Sequence, residues 1–176
     1  MRVADYIVNY IYTKLGVDTT FMVPGGGAMF LNDAFCHYKG MNVVACHHEQ
    51  SAAYAASAYS RYTNNIGVCC VTTGCGGTNA ITPVLGAFQD RVPLLIISGQ
   101  IKTKECMRLR SDVDVRQLGV QEADIIEIVK PITVYHETVN NKVNIPFSIE
   151  SACWAAMNLK GPAWLDIPID IQGAEI

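Results

Sequence analysis

Three short segments combine glycine-rich backbone with polar side chains and could bind a small ligand. They are residues 24–27 (PGGG), 47–50 (HHEQ) and 72–79 (TTGCGGTN). Glycine lets the backbone approach a flat ligand closely, and it also permits turns that a side chain would block. The segments therefore predict a small-molecule site.

Glu49 is the candidate for proton chemistry in these segments, because it follows a predicted strand and opens a predicted helix. At a helix start a carboxylate interacts favourably with the dipole and caps free N–H groups, which would be a purely structural role. The residues that follow are mostly small and apolar, and dry surroundings favour the uncharged carboxyl. A protonated Glu49 could donate to a ring nitrogen. The residues alone leave both interpretations open.

Other ligand classes fit less well. A dinucleotide fingerprint needs GxGxxG after a strand, but the segment that begins at Gly74 has Asn79 where the last glycine belongs. The segment at 25–30 fails too, and no Walker A lysine follows either one. The cysteines and histidines at 46–48 and 69–70 match no standard zinc spacing, so we predict no metal site in this chain.

Alternating strands and helices must position these segments. Strands are predicted over residues 20–23, 41–46, 67–71, 92–98, 132–136 and 163–167, and helices over 3–15, 49–62, 80–89, 121–129 and 145–159. Residues 103–118 are expected to be irregular. The order predicts one α/β domain over residues 1–176, with a doubly wound, six-stranded parallel sheet and helices on both faces. In such a sheet ligands bind beyond the carboxyl ends of the strands, which the three segments follow.

Composition narrows the choice of partners and compartment. The 13 basic and 16 acidic residues are scattered and give a net charge of −3, which argues against nucleic acid or an anionic membrane as a partner. No apolar run is long enough to span a membrane, and no signal peptide is evident. Seven irregularly spaced cysteines indicate reduced thiols in a cytoplasmic protein.

A series of blocks along the chain resembles the acetolactate synthase family of thiamine-diphosphate enzymes, in the family's order. The blocks are VPGGG at 23–27, HEQ at 48–50, AAxAYxR at 55–61, TxGxGxTN at 72–79, DRVPL at 90–94, GQ at 99–100, QE at 121–122 and GPxxLDIPxDxQ at 161–172. Each block is weak alone, but together they are highly specific. The resemblance implies a pyrimidine-binding (PYR) domain of an enzyme that decarboxylates and carboligates pyruvate or a related 2-keto acid.

The resemblance also implies thiamine diphosphate as the cofactor and assigns roles to particular residues. Glu49 matches the family's glutamate that hydrogen-bonds N1′ of the aminopyrimidine and favours its imino tautomer. Gln121 matches an active-site glutamine at the substrate end. The residues that match the loops lining the pyrimidine pocket are Pro24, Gly25, Thr73, Gly74 and Asn79.

Two departures from the family pattern affect these expectations. Cys75 stands where the family usually has proline, so the turn should be less rigid. The chain also lacks the Gly-Asp-Gly motif that in the family holds Mg²⁺ and the diphosphate in a pyrophosphate-binding (PP) domain. The central and PP domains are therefore expected to be absent from this chain. The isolated chain should be inactive, since the charged diphosphate on its metal is a strong anchor.

The implied partners are a PP domain, in the same or another polypeptide, and further copies of the chain in a dimer or larger homo-oligomer. Ala52, Ala55, Ala56 and Tyr59, on the helix after Glu49, would suit close helix contact. Two other possibilities stay open. The chain could be a separately encoded PYR subunit of a two-subunit 2-keto acid decarboxylase, or a non-catalytic assembly module.

Overall fold

The computed structural model describes residues 1–110, 112 and 114–176. Its strands are β1 (Thr19–Met22), β2 (Asn42–Ala45), β3 (Gly67–Val71), β4 (Leu94–Gln100), β5 (Tyr135–Thr138) and β6 (Pro162–Pro168). Within the described residues its α-helices are α1 (Val3–Thr13), α2 (Met29–His37), α3 (Glu49–Thr63), α4 (Cys75–Asn79), α5 (Ile81–Gln89), α6 (Ile125–Val129), α7 (Ile145–Leu159) and α8 (Ile169–Gln172).

The six strands form one sheet in the order β2-β1-β3-β4-β6-β5, and every neighbouring pair is parallel. The central strands β3, β4 and β6 are buried along their whole length. Apolar side chains on both faces of a strand are typical of a parallel sheet between two layers of helices.

Helices pack on both faces of this sheet and bury their apolar side chains against it. Helices α1, α2 and α7 pack on one face, where they bury Ile7, Phe35 and Ile149. Helices α3, α5 and α6 pack on the other, together with Trp164. Successive residues of β3 and β4 belong alternately to the two clusters, as the alternation of side chains along a strand requires. The predicted doubly wound α/β fold is confirmed.

The carboxyl ends of three strands lie level at one edge of the sheet. Met22 at the end of β1 pairs with Ala45 of β2 on one side and with Cys70 of β3 on the other. The chain leaves β1 toward β2 but leaves β3 in the opposite direction, toward β4. The crevice between these two exits is a topological switch point, where ligands bind in open α/β sheets.

Several helix predictions need correction. Helix α2 was not predicted, because PGGG at 24–27 reads as a break; instead a 3₁₀ turn over Gly26–Ala28 leads directly into the helix. The segment expected to be a loop at 72–79 contains the short helix α4. Helix α6 begins at Ile125 rather than at residue 121, and α8 was also missed. In the irregular 103–118 segment two 3₁₀ turns occur, while positions 111 and 113 lie outside the described residues.

Candidate functional site

The glycine segment after β1 packs directly on the segment after β3. The backbone N–H of Gly27 donates to Thr72 Oγ1 at 3.1 Å, and a Cβ at Gly25 would overlap the Thr72 side chain. Thr73 is buried and donates from Oγ1 to the Gly99 carbonyl at 3.1 Å. A Cβ at Gly27 would overlap that same hydroxyl. Glycine is therefore required for this close approach of two loops at the switch point.

Glu49 lies at the start of α3 and reaches the segment after β3. Its Oε2 accepts a hydrogen bond from Asn79 Nδ2 at 2.7 Å, and that nitrogen is also 3.2 Å from His48 Nε2. Its Oε1 lies 3.3 Å from the position that a Cβ on Gly76 would occupy. The carboxylate thus bonds a side chain of the neighbouring segment, not a backbone N–H of its own helix, which counts against a purely capping role.

The dry surroundings expected for Glu49 are not supplied by this chain alone. Ala52 and Ala53 are fully buried, but they face the sheet beneath α3. Glu49 itself is half-buried, and its neighbour Ser51 is exposed. One side of the carboxylate is therefore open to solvent or to another protein surface.

The residues of α3 that were predicted to contact another subunit do not form its outer face. Ala52 and Ala56 are fully buried within the domain, and Tyr59 packs edge-on against Phe21, with its hydroxyl donating to Asp18 at 2.7 Å. Ala55 is only half-buried, and the exposed residues of the helix are Ser51, Tyr54, Ala58, Arg61, Tyr62 and Thr63.

Gln121 lies against the other side of the glycine segments. It has a left-handed backbone conformation (φ 60°), and its carbonyl oxygen occupies the space that a Cβ on Gly74 (φ 64°) would fill. Its exposed side chain lines a cleft of 280 Å³ together with Gly26, Thr73 and Gln100.

The structure brings the predicted site residues to one edge of the sheet, in two adjoining groups. Glu49 and Asn79 form one group, while Gly25, Thr73, Gly74 and Gln121 form the other, and Pro24 is exposed at the rim beside Gly25. Two residues that the prediction did not single out join the groups. Thr72 contacts Gly25, and its Cγ2 lies 2.7 Å from where a Cβ on Gly76 would sit. The TxGxG pattern was the signal for both Thr72 and Gly76.

A buried polar network, not anticipated from the sequence, lies behind the cleft. Asp166 is only 3% exposed and accepts hydrogen bonds from Ser98 Oγ at 2.6 Å and from Gln100 Nε2 at 3.0 Å. Burial raises the pKa of Asp166 from 3.8 to about 7, and the bonds from Ser98 and Gln100 act in the opposite direction. Trp164 Nε1 completes the network by donating to Ser98 Oγ at 2.8 Å.

Comparison with known proteins identifies the family to which this α/β domain belongs. Residues 1–128 match the family described as thiamine pyrophosphate enzyme, N-terminal TPP binding domain, so the chain belongs to that family.

The chain is similar to several acetolactate synthases. It is 33% identical to the large subunit from Lactococcus lactis over 164 residues, which cover 93% of this chain and 27% of the relative. It is 34% identical to the isozyme 3 large subunit of Escherichia coli over 169 residues (96% and 28%) and 33% identical to the chloroplastic enzyme of Arabidopsis thaliana over 173 residues (96% and 24%). The chain thus spans about a quarter of the length of these relatives. The predicted family is confirmed. No helix among the described residues has the length and apolarity needed to cross a bilayer.

Proposed function

We propose that this domain binds the aminopyrimidine half of thiamine diphosphate in an acetolactate-synthase-like enzyme that acts on pyruvate or a related 2-keto acid. The observation that carries the proposal is the Glu49 carboxylate, held by Asn79 beside Gly76 next to the switch point of the sheet. Family membership supports the class of cofactor, and the similarity to acetolactate synthases supports the class of reaction.

The residues at this edge suit a flat heteroaromatic ring. Gly25 and Gly76 let the backbone pack closely on Thr72, and Gly74 packs on the Gln121 carbonyl, so the glycines hold the backbone of this edge in place, with Pro24 at the rim. Thr73 is fixed by its bond to β4, which keeps the turn in place under a ligand. We assign these residues, with Asn79, to the aminopyrimidine pocket.

The two oxygens of Glu49 have different tasks in this proposal. Asn79 donates to Oε2 and so fixes the orientation of the carboxyl group, which leaves Oε1 to face a ring nitrogen beside Gly76. Glu49 holds a proton at that position and donates it to N1′. Bound thiamine diphosphate supplies the nucleophilic carbon and the electron sink for 2-keto acid chemistry. Gln121 faces the substrate end from the 280 Å³ cleft.

The rest of the site is assigned to a PP domain, in the same polypeptide or in a partner. Within the described part of the chain, no three histidine, cysteine or carboxylate side chains gather into a metal-binding group. Mg²⁺ and the diphosphate are therefore assigned to the PP domain, which would also cover the open side of Glu49. Dry surroundings would then favour the protonated carboxyl.

We also propose that the protein is a dimer or larger homo-oligomer through the outer face of α3 and the neighbouring α5. Tyr54 of α3 is 50% exposed, and Leu85 and Phe88 are exposed on α5, which packs against α3. Exposed large apolar side chains on two packed helices are typical of a protein interface. The seven cysteines are free thiols, which suits the cytoplasmic location that we propose.

The test is Glu49→Gln in the domain assembled with its PP domain. Glutamine keeps the size and can still accept from Asn79, but it cannot hold an acidic proton. We expect C2–H exchange of bound thiamine diphosphate, followed by NMR, to slow by ~10²–10⁴, as is typical of a lost general acid–base group. The melting temperature should change little.

Glu150→Gln is the matched control, because Glu150 is an exposed helical glutamate far from the site. It should leave the exchange rate unchanged. Near-normal exchange in the Glu49→Gln protein would reduce Glu49 to a structural residue and favour the non-catalytic assembly module.

A further inference from the structure

Gln100 is a buried amide whose hydrogen-bonding capacity is used almost completely. It lies at the end of β4, is 2% exposed, and forms part of the wall of the 280 Å³ cleft. Its Nε2 donates to Asp166 Oδ2 and to the Ala123 carbonyl, both at 3.0 Å. Its Oε1 accepts from the backbone N–H of Ile101 at 3.0 Å. A side chain bonded on three sides has one orientation.

The Ala123 carbonyl belongs to a segment that has little regular structure of its own. Residues 121–124 lie between a turn and the start of α6, and they carry Gln121 in its left-handed conformation. The carboxylate of Glu122 bonds the backbone N–H groups of Met107 and Leu118, which belong to the same irregular region. Gln100 instead connects this segment to the rigid centre of the sheet.

Asp166 fixes Gln100 from behind. It lies on β6, directly paired with Ser98 of β4, and its second oxygen is occupied by the Ser98 hydroxyl. A buried polar group without a partner is costly, so the Asp166 carboxyl and the Gln100 amide stabilise each other's orientation. The chain of contacts runs from the sheet, through Asp166 and Gln100, to Ala123, two residues after Gln121.

We propose that Gln100, oriented by Asp166, is a positioning residue that sets the placement of Gln121 over the substrate end of the site. This assignment rests on the proposed function, because the role of Gln121 at the substrate end is itself part of that proposal. Glu49 is positioned separately, by Asn79 and the start of α3. Loss of Gln100 should therefore impair use of the 2-keto acid and leave the proton chemistry at the cofactor intact.

The test compares Gln100→Met, which keeps the volume and removes all three hydrogen bonds, with Gln100→Asn, which keeps the amide but is one methylene too short. In the domain assembled with its PP domain, kcat/KM for pyruvate should fall by roughly 10²-fold, as expected when a reacting group is misplaced by about 1 Å. C2–H exchange of the bound cofactor should stay at the wild-type rate. Asp166→Asn, whose amide can still bond both Ser98 and Gln100, should retain turnover, whereas Asp166→Leu should lose it.

Hydrogen exchange on the chain alone provides a second measurement that needs no cofactor. Backbone amides of residues 119–124 should exchange faster in both Gln100 variants than in Ser148→Ala, which removes a partly buried hydrogen bond to Glu137 far from the cleft. Unchanged turnover, unchanged exchange of residues 119–124, or a parallel loss of C2–H exchange would each overturn the proposal. A failure of the proposed function looks different, since C2–H exchange would then be independent of Glu49. If Gln100→Met does not fold, Gln100→Asn decides the question.

Discussion

Asp166→Asn should make the stability of this domain less dependent on pH. The Asp166 carboxyl is buried between β4 and β6, and its raised pKa of about 7 follows chiefly from burial. In the unfolded chain the same carboxyl titrates near its ordinary value of 3.8. Between these two values the folded protein holds a proton that the unfolded chain has released. The free energy of unfolding must therefore fall as pH rises through this range.

The structure sets the size of the effect. Each pH unit between 3.8 and about 7 contributes ~1.4 kcal/mol, so the wild-type domain loses about 4 kcal/mol from this one group. Asp166 is only 3% exposed, so solvent screens this group little. Asparagine has no charge to bury at any pH. Its oxygen can accept from Gln100 and its nitrogen can donate to Ser98, so the network is kept.

Urea unfolding at pH 4.5, 6, 7 and 8 measures the effect as the difference in unfolding free energy between variant and wild type. We expect that difference to shift in favour of Asp166→Asn as pH rises, and to level off above the folded-state pKa. Asp90→Asn is the control, because Asp90 is exposed and its ion pair with Arg61 lies at the surface, where such pairs contribute less than ~1 kcal/mol. A difference that stays constant from pH 4.5 to 8 would show that Asp166 titrates normally, and the argument from burial would be wrong.

Three further predictions concern packing, assembly and activity. Gly67→Ala should destabilise the domain by about 2 kcal/mol, because the new Cβ would overlap the Ala56 carbonyl of α3. Gly86→Ala is the control, because the space around Gly86 in the middle of α5 is open, and it should stabilise the domain by ~0.5–1 kcal/mol. Thermal unfolding of both variants measures the difference. Tyr54→Asp should lower the oligomeric mass measured by light scattering. Val143→Asp introduces the same charge at an exposed site away from α3 and should leave the mass unchanged. Equal effects of the two variants would show that α3 is not part of the interface. The isolated chain should release no carbon dioxide from pyruvate with thiamine diphosphate and Mg²⁺, and turnover by protein free of any full-length enzyme would contradict the assignment of the diphosphate to a PP domain.

The strands could be predicted from the sequence because a parallel sheet between two helical layers needs continuous apolar runs. The run over residues 94–97 and those around Val68 and Leu165 are short and apolar on both faces, which favours buried parallel strands. The edge strands β2 and β5 are short and less apolar. They could be predicted because β2 leads into a predicted helix and β5 lies between two predicted helices. Bounds were less accurate, since the ladder of β4 continues through the polar Ser98 and Gln100.

Helix α2 and the face of α3 could not be predicted by the same reasoning. Three glycines before α2 resemble a break, and only the spacing of Leu31, Ala34 and Phe35 indicates the helix. The alanines of α3 permit close packing, but their sequence does not say whether sheet or partner takes the contact. The structure shows that the sheet does.

The place of the candidate site in the fold could be predicted from the sequence, whereas the roles of its residues stay predictions. Glu49 and its glycine loops lie where parallel strand ends meet, which topology alone implies. The Asp166–Gln100 pair depends on the alignment of β4 with β6, and these strands are more than sixty residues apart in the chain. No local pattern reveals which strands become neighbours, so a buried carboxyl in LDIP at 165–168 reads from sequence as an ordinary polar residue.

The strand order has a consequence for how the chain can be built during synthesis. The last of the six strands in sequence, β6, lies inside the sheet, with β4 on one side and β5 on the other. Until Pro162–Pro168 is available, β5 has no hydrogen-bonded neighbour within the described sheet, and Ser98 and Gln100 lack the carboxyl they bond in the finished domain. Strands β1 to β4 can pair without β6, whereas β6 must add to the free edge of β4 before β5 can pair with β6. The polar network behind the site is therefore formed last, together with the final closure of the fold.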